Sequence, residues 1–561
     1  MLFLLVKFLY IIILSFLYGY TLQGFLHNRI LKNVPANTHF SLTTLNGFFA
    51  ITVIASCLSI FIPLAGLAHS VILGAGLLCY LLQREAIHQQ VSDYVEQIRT
   101  AGRSRQLFGS ATIIFVLYLS AQQPFTYDEG LYYAQFIKWM QHYKTVPGLA
   151  NLHERFGYNS HWHVLSAVFN FSWLNGIPDN RLNGVLYLLT VLYLLPRKQD
   201  ANFIALLKAG LLVMINMPQF GAYYIIAPAA DTAVYYISCL VIVSWLEKSA
   251  GEELPLSSGN GVFMLLAPVF LLTVKVSSIP ILILTVLMYW QVLRQKNYTQ
   301  LLILCGIAVV IVAPWLVRNV ILSGYLLFPM VLPDLFHTGW AVPTAVIRST
   351  RLDITVFAIY RVADIPRYFS ESTIQHFSTW FLHSLRIYDK LLVLAAAASP
   401  ILVFIRRKRL PAGFVPLYIF LLLGCCFWLK QAPDPRFGYS YLAPMVILTG
   451  IFCFPKLQLR QVYIPVLCAT LAFQAGTLIL RHHLNKVFVS EKMITAAPSN
   501  GVLLMPVPYA PMEIIQHNAP FPVNTTPNGL CWTAPLPCAD QLPDGVKRRG
   551  NSLEDGFAPA E

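Results

Sequence analysis

Apolar runs of membrane-crossing length recur along this chain from Met1 to Leu480, broken by Pro, Gly and short charged clusters. A run of about 20 apolar residues spans the hydrocarbon core of a bilayer as a helix, because only a helix or a closed barrel satisfies its own backbone there. A chain that repeats such runs has one fold class open to it, an all-α polytopic transmembrane bundle. Hydrophobic residues make up 57% of the 561 positions and charged residues 11%, with a mean hydropathy of +0.60, which water-soluble domains do not show. The formal net charge of +14 therefore belongs to loops that touch anionic headgroups. The bilayer is the partner this composition implies, and nucleic acid is not.

Spans are expected at 7–26, 44–63, 67–83, 107–121, 203–219, 230–246, 261–274, 278–293, 300–322, 391–405, 411–429, 442–455 and 462–480. Basic residues gather in three loops, at Arg84, Arg99, Arg103 and Arg105, at Arg294 and Lys296, and at Arg406, Arg407, Lys408 and Arg409. With all three loops cytoplasmic, the parity of the intervening spans works out. Between Asp128, outside, and Arg197-Lys198, inside, lie two apolar segments, 161–177 and 182–195, and two full crossings would break that parity. One of them, taken as the first, is expected to be broken, tilted or re-entrant and to line a cavity. The total comes to about 14 crossings with both termini outside.

The chain divides accordingly into N-terminal helices with a basic loop (1–106), a transmembrane core (107–322) whose first external loop is 122–163, an external amphipathic segment (323–390), C-terminal helices (391–480) and an extracytoplasmic tail (481–561). Within the external segment, Arg361–Phe369 and His376–Tyr388 suit helices lying at the interface. The tail is Pro-rich, and its last dozen or so residues read as disordered. The N-terminus carries Lys7 inside its apolar run with no small-x-small site after it, so the first segment is expected to stay as a helix. Eight cysteines fall in apolar spans, where the thiol behaves as a small hydrophobe. Cys531 and Cys538, in CWTAPLPC, could pair as a disulfide if the tail is extracytoplasmic.

The candidate chemistry lies on the external side. Tyr127-Asp128-Glu129-Gly130 follows directly on an apolar span, and paired carboxylates at a membrane mouth are costly unless water, a cation or a donor meets them. Glu129 to Lys144 reads as an amphipathic helix ending at Pro147-Gly148. The stretch 151–163 then holds three His, an Arg and two Asn, including Asn151, His153 and Arg155. Its spacing matches no standard metal-ligand pattern and favours hydrogen bonding to a polar ligand. Asp231, in APAADT, either caps a helix or faces a ligand. Lys275, in TVKVSS, either snorkels to headgroups or grips the phosphate of a lipid-linked substrate. Arg318, and Arg436 in PDPRFGY, are suited to bidentate phosphate contact, with pairing to Asp434 the structural alternative for Arg436. The chain has no P-loop, no GxGxxG after a strand, no GxSxG and no HExxH. Any energy for a reaction outside the membrane must arrive with the substrate.

With these residues assembled, the chain resembles the GT-C superfamily of glycosyltransferases, polytopic enzymes that use polyprenyl-phosphate-linked sugars at the outer membrane face. Asp128 with Glu129 matches that superfamily's acid after an early helix, residues 129–145 its first juxtamembrane helix, Asp231 its second acid, and Thr273-Val274-Lys275-Val276-Ser277 its external turn. More narrowly, GLANLHERFGYNS (148–160), GYLLFP (324–329), GWAVP (339–343), PDPRFGY (433–439) and CWTAPLPC (531–538) resemble a functionally unassigned bacterial membrane-protein family of this general type. The chain departs from the superfamily in placing about three helices before the acidic loop.

The resemblance implies a bacterial cytoplasmic-membrane glycosyltransferase with its active site facing outward. Its partners would be a polyprenyl-phosphate-linked sugar donor and a glycan, lipid or protein acceptor. In this reading Asp128 and Glu129 are catalytic, and Asn151, His153, Arg155, Asp231, Lys275, Arg318 and Arg436 hold substrate. An Asp-Glu pair could also supply oxygen ligands to a divalent cation, but no cofactor is fixed. A glycan polymerase or ligase relying on Arg and His, and a lipid or glycan transporter, are the competing readings; a transporter would show repeats, and none is visible.

Overall fold

The computed structural model describes the chain except residues 31–37, 221, 250–259, 332–334, 455, 489–500, 510–511, 519–520 and 561. Among the described residues, ten helices are long and apolar enough to cross a membrane: Leu2–His27, Phe40–Leu58, Gly66–Arg99, Ala230–Glu247, Val276–Arg294, Tyr298–Ser323, Ile387–Ile405, Phe414–Gln431, Pro435–Cys453 and Leu459–Leu480. Shorter apolar helices at Leu182–Leu194, Asn202–Asn216 and Gly261–Val274 pack among them, and Arg103–Ala121 leads into the acidic loop. Among the described residues, sheet is limited to two antiparallel pairs of three-residue strands. The chain is a multi-pass helical membrane protein.

Helix Ala230–Glu247 runs through the middle of the bundle, whereas Gly66–Arg99 and Tyr298–Ser323 leave most of their length on its outside. The first two helices approach backbone to backbone. A Cβ on Gly19 would stand 1.8 Å from the Thr43 carbonyl oxygen, and one on Gly47 1.7 Å from that of Ser15. Small residues at a crossing are how membrane helices gain packing contacts without a hydrophobic driving force.

Of the two segments between which parity left one crossing, 161–177, the one taken to be irregular, is broken. Helix His161–Val168 has eight residues and is followed by a four-residue turn, Ser172–Asn175. Eight residues rise about 12 Å, well short of a bilayer core of about 30 Å. Several helices carry a basic cluster at one end and the acidic or cationic motifs at the other. Arg103–Ala121 runs from Arg103 and Arg105 toward Asp128, and Val276–Arg294 runs from Lys275 to Arg294.

Two expectations change outside the bundle. Arg361 does not begin a helix; it ends Thr344–Tyr360 in the left-handed region at φ 63°. The end of the tail is ordered: Val546–Arg548 pairs antiparallel with Phe557–Pro559, and Phe557 is fully buried against Trp139 and Phe521. One aromatic anchor orders a polar terminus whose overall composition hides it. Cys531 and Cys538 form a disulfide.

Candidate functional site

Asp128 and Glu129 meet different surroundings. After Ala121 the chain cannot continue as a regular helix through Pro124, and it re-enters helix through a wide π turn, Glu129–Tyr133, before Ala134–His142. Tyr132 and Tyr133 fill the turn with rings packed edge to face, their centres 4.4 Å apart. Asp128 emerges on the outer side with 15% of its side chain exposed, and Glu129 turns inward with none.

Two distant segments reach Asp128 directly, and three more stand around them. Arg436 Nη1 donates to Asp128 Oδ2 at 2.8 Å and Arg155 Nη1 to Oδ1 at 3.5 Å. Arg436 stands in the first turn of Pro435–Cys453, where the Asp434 carboxylate caps the helix by accepting from the Arg436 N–H at 3.1 Å. The other Asp434 oxygen accepts from Arg361 Nη1 at 2.7 Å and lies 3.7 Å from Arg436 Nε. Lys275, just past the end of Gly261–Val274, pairs with Asp231 in the first turn of Ala230–Ser249. The Lys275 ammonium lies 3.6 Å from the centre of the Phe437 ring, and the Arg436 guanidinium stands 5.0 Å from the same ring. One aromatic face pair therefore serves two cations.

Charge explains the arrangement. Asp128, Asp231, Asp434 and Glu154 face Arg155, Lys275, Arg361 and Arg436, four acids against four cations. Burial alone would push the Asp128 carboxyl up, but Arg436, Arg155 and Lys275 outweigh it and hold the carboxyl below its ordinary range. It stands ionised. Arg155, Lys275 and Arg436 keep 27–29% of their side chains exposed, so the cluster opens to one side. A small, largely apolar pocket adjoins it, lined by Ser277, Phe427, Trp428, Gln431, Ala432, Phe437 and Tyr441. The site combines an ionised acceptor, cations that an anion could engage by exchanging partners, and a hydrophobic flank.

The cluster brings together Asp128, Arg155, Asp231, Lys275 and Arg436 from the residues singled out by sequence. It does not bring together the other four. Glu129 is buried, accepting from Tyr509 Oη at 2.7 Å, and burial raises its pKa to about 7. Asn151 donates to the Gly148 and Trp340 carbonyls at 3.1 and 2.9 Å, bracing the loop. His153 is buried, its Nδ1 accepting from the Arg155 N–H at 3.3 Å, so it supports Arg155 from behind. Arg318 is fully buried and bonds Asn159, Ser59 and Thr145, tying three distant segments together. A guanidinium enclosed in this way has no open side for a phosphate. His161 and His163 are likewise buried. Among the described residues, no three or more His, Cys, Asp or Glu side chains stand together as a metal site.

Arg361 and Phe437 belong to the cluster and were not singled out as ligand contacts. Phe437 sits in the PDPRFGY motif, where its proximity to Arg436 was the available signal. Arg361 left none, since its role depends on a helix end 73 residues from Asp434.

The chain belongs to a family described as a domain of unknown function (DUF8201), whose model matches residues 1–443. That stretch contains every residue of the Asp128 cluster and stops short of the tail. No curated protein and no solved structure matches the chain.

Proposed function

We propose that this protein is an integral membrane glycosyltransferase of GT-C type, moving a sugar from a polyprenyl-phosphate-linked donor to a glycan, lipid or protein acceptor at the outer face of a bacterial cytoplasmic membrane. The observation that carries this reading is the convergence of Asp128, Arg155, Arg436, Asp231 and Lys275, contributed by five segments, on one open cluster beside a small, largely apolar pocket. A polyprenyl phosphate has the matching form, an anion joined to a long apolar chain.

In the reaction the acceptor hydroxyl oxygen forms a bond to the anomeric carbon as the bond from that carbon to the phosphate oxygen breaks. The bonding pair leaves on the phosphate, where Lys275 and Arg436 meet the growing negative charge. Asp128 accepts the hydrogen bond of the incoming hydroxyl and orients it. With its pKa held low by Arg436 and Arg155, it is a weak base, and the hydroxyl proton can pass on to the departing phosphate or to water. Lys275 is the cation best placed to engage donor first, exchanging Asp231 for phosphate while Phe437 keeps its ammonium oriented.

Orientation rests on two supports. The cluster lies at the helix ends opposite the basic loops, which the positive-inside rule assigns to the cytoplasm, and the Cys531–Cys538 disulfide belongs in an oxidising compartment. About 14 crossings fit this arrangement. The test is transfer from synthetic prenyl-phosphate sugars by purified protein in proteoliposomes. Transfer that is lost in Asp128→Asn supports the reading. Transfer that survives in Asp128→Asn and is lost in Arg155→Lys and Arg436→Lys would favour an arginine-dependent polymerase or ligase, a second reading that the two guanidinium groups on Asp128 make concrete.

A further inference from the structure

The residues that aim Asp128 include a segment beyond the family-matched stretch. We propose that the C-terminal tail is a positioning element of the site, in which Tyr509 and Trp532 hold Glu129–Tyr133 in its π turn and thereby direct Asp128 toward Arg436 and Arg155.

The tail returns across some four hundred residues to lie on the first external loop. Val507 N–H donates to the Ala121 carbonyl at 2.8 Å, just where the preceding helix ends. Arg181 donates to the Val507 carbonyl at 3.1 Å, and Asn180 donates to the Tyr509 hydroxyl at 2.9 Å. Tyr509 in turn donates to Glu129 Oε1 at 2.7 Å. From the other side, Trp532 N–H donates to the Gly130 carbonyl at 2.8 Å. Its indole lies so close that a Cβ on Gly130 would meet it at 2.6 Å. The eight-residue loop closed by Cys531–Cys538 is then fastened by its carbonyls. Gln135 donates to those of Trp532 and Ala534, and Lys138 to those of Thr533 and Ala534, at 2.9–3.1 Å. The first two residues of the turn are thus each held by one tail residue.

A π turn is rare and commonly marks a functional position. It contains one residue more than the α-helical turn it replaces, and one residue corresponds to about 100° around a helix. Relaxation of Glu129–Tyr133 to α-helical register would swing Asp128 by about that angle relative to Ala134–His142. The carboxylate would then leave both guanidinium groups. Glu129 is accordingly a positioning residue: its carboxyl is the handle by which Tyr509 holds the turn. A purely covering role for the tail would not require a bond to each of two consecutive residues beside Asp128.

The experiment follows backbone hydrogen exchange of full-length protein in detergent micelles, peptide by peptide, in wild type, Trp532→Ala, Trp532→Phe and Tyr509→Phe. Exchange in 126–134 should accelerate about tenfold or more in Trp532→Ala, with the membrane helices unchanged. Trp532→Phe, which keeps a ring over Gly130, should restore most of the protection. Tyr509→Phe removes a single hydroxyl, so it should fold and should loosen the same peptide. Unaltered exchange at 126–134 in both Trp532→Ala and Tyr509→Phe would overturn the proposal, as would loss of protection spread evenly through the bundle. This arm needs no assumption about the reaction. A second arm rests on the glycosyltransferase reading: kcat should fall about tenfold with donor KM within about twofold, because Lys275 is not disturbed. Loosened exchange with no transfer in any variant, wild type included, would sink the reading and leave the positioning role standing.

Discussion

Arg436 Nη1 meets Asp128 Oδ2 at 2.8 Å across 308 residues of sequence. Nothing basic adjoins Asp128 in the chain itself, and its compensation comes wholly from afar. Asp434 sets Arg436 by capping the same helix turn and by drawing in Arg361. Asp128 thus sits between Arg436 and Arg155 in a chain of alternating charges, Arg361, Asp434, Arg436, Asp128 and Arg155, in which each member has an opposite neighbour. Such a chain orders side chains at modest net gain in stability, since each pair exchanges hydration for contact. Its value is geometric: it fixes an ionised oxygen at an open mouth.

Asp128→Asn should therefore leave folding nearly intact and remove function. Asparagine keeps the shape and one acceptor but loses the charge that orients an attacking hydroxyl. Transfer should drop by about a hundredfold or more, with protein abundance in membranes close to wild type. Product at the wild-type rate from Asp128→Asn would take this residue out of the mechanism.

Lys275→Gln should raise the apparent KM for the lipid-linked donor by about tenfold and leave acceptor KM nearly unchanged, because the lost interaction is with phosphate. Lys275→Arg should recover part of the donor affinity, since charge survives while geometry changes. If Lys275 only balances Asp231, donor affinity in Lys275→Gln will match wild type, and Asp231→Asn will affect stability alone.

Topology offers a test free of any assay for transfer. Single cysteines at Ser378 and Asn528, both exposed, should react with a membrane-impermeant thiol reagent in intact spheroplasts, and one at Leu410, beside the basic run 406–409, should not. Labelling at 410 with protection at 378 would invert the protein. The same orientation predicts that Cys531→Ser with Cys538→Ser lowers stability by about 2–3 kcal/mol, the loop-closure contribution of a short bridge. Thermal melts of both forms in detergent measure it.

The helices were legible because their physics is local. A span announces itself by apolar length, and the expected 261–274 coincides with the observed helix Gly261–Val274. Charge parity allowed one crossing across 161–177 and 182–195 without choosing between them, and the break falls in 161–177. The site divided along another line. Asp128, Lys275 and Arg436 each carry charge at a helix end beside a membrane, where charge needs a reason, and each joins the cluster. Arg318 satisfied the same criterion and turned out to be enclosed by Asn159, Ser59 and Thr145. Sequence cannot tell an open end from a buried knot when the partners are polar and neutral. Glu129 differs again: adjacency to Asp128 implied a shared role, but Glu129 is enclosed against Tyr509 while Asp128 meets Arg436 and Arg155. The tail was the least legible part, because its order depends on docking to a loop some four hundred residues earlier.

Glu129 supplies the last prediction, through pH. Its ordinary pKa of 4.5 is raised to about 7 by burial, which outweighs the Tyr509 bond, Arg181 and the Thr126 bond. The folded protein therefore keeps the proton between these two values while the unfolded chain has released it. Below pH 4.5 the stabilisation is fully present, and it is lost as pH rises through 7. A shift of this size corresponds to about 3 kcal/mol. Glu154 and Asp179, whose pKa values are lowered to about 2, work in the opposite sense but only below about pH 4, so they do not mask the effect. The buried histidines His161 and His163 take up protons on unfolding below about pH 6.5 and add an opposing trend common to wild type and variant, so the effect is read from the difference between the two proteins in detergent. Glu129→Gln, which retains an acceptor for Tyr509 and cannot ionise, should gain in melting temperature relative to wild type as pH rises from 5 to 8 and be the more stable form at pH 8. An equal slope in the two proteins would mean that Glu129 is not the buried, proton-bearing group inferred from its position.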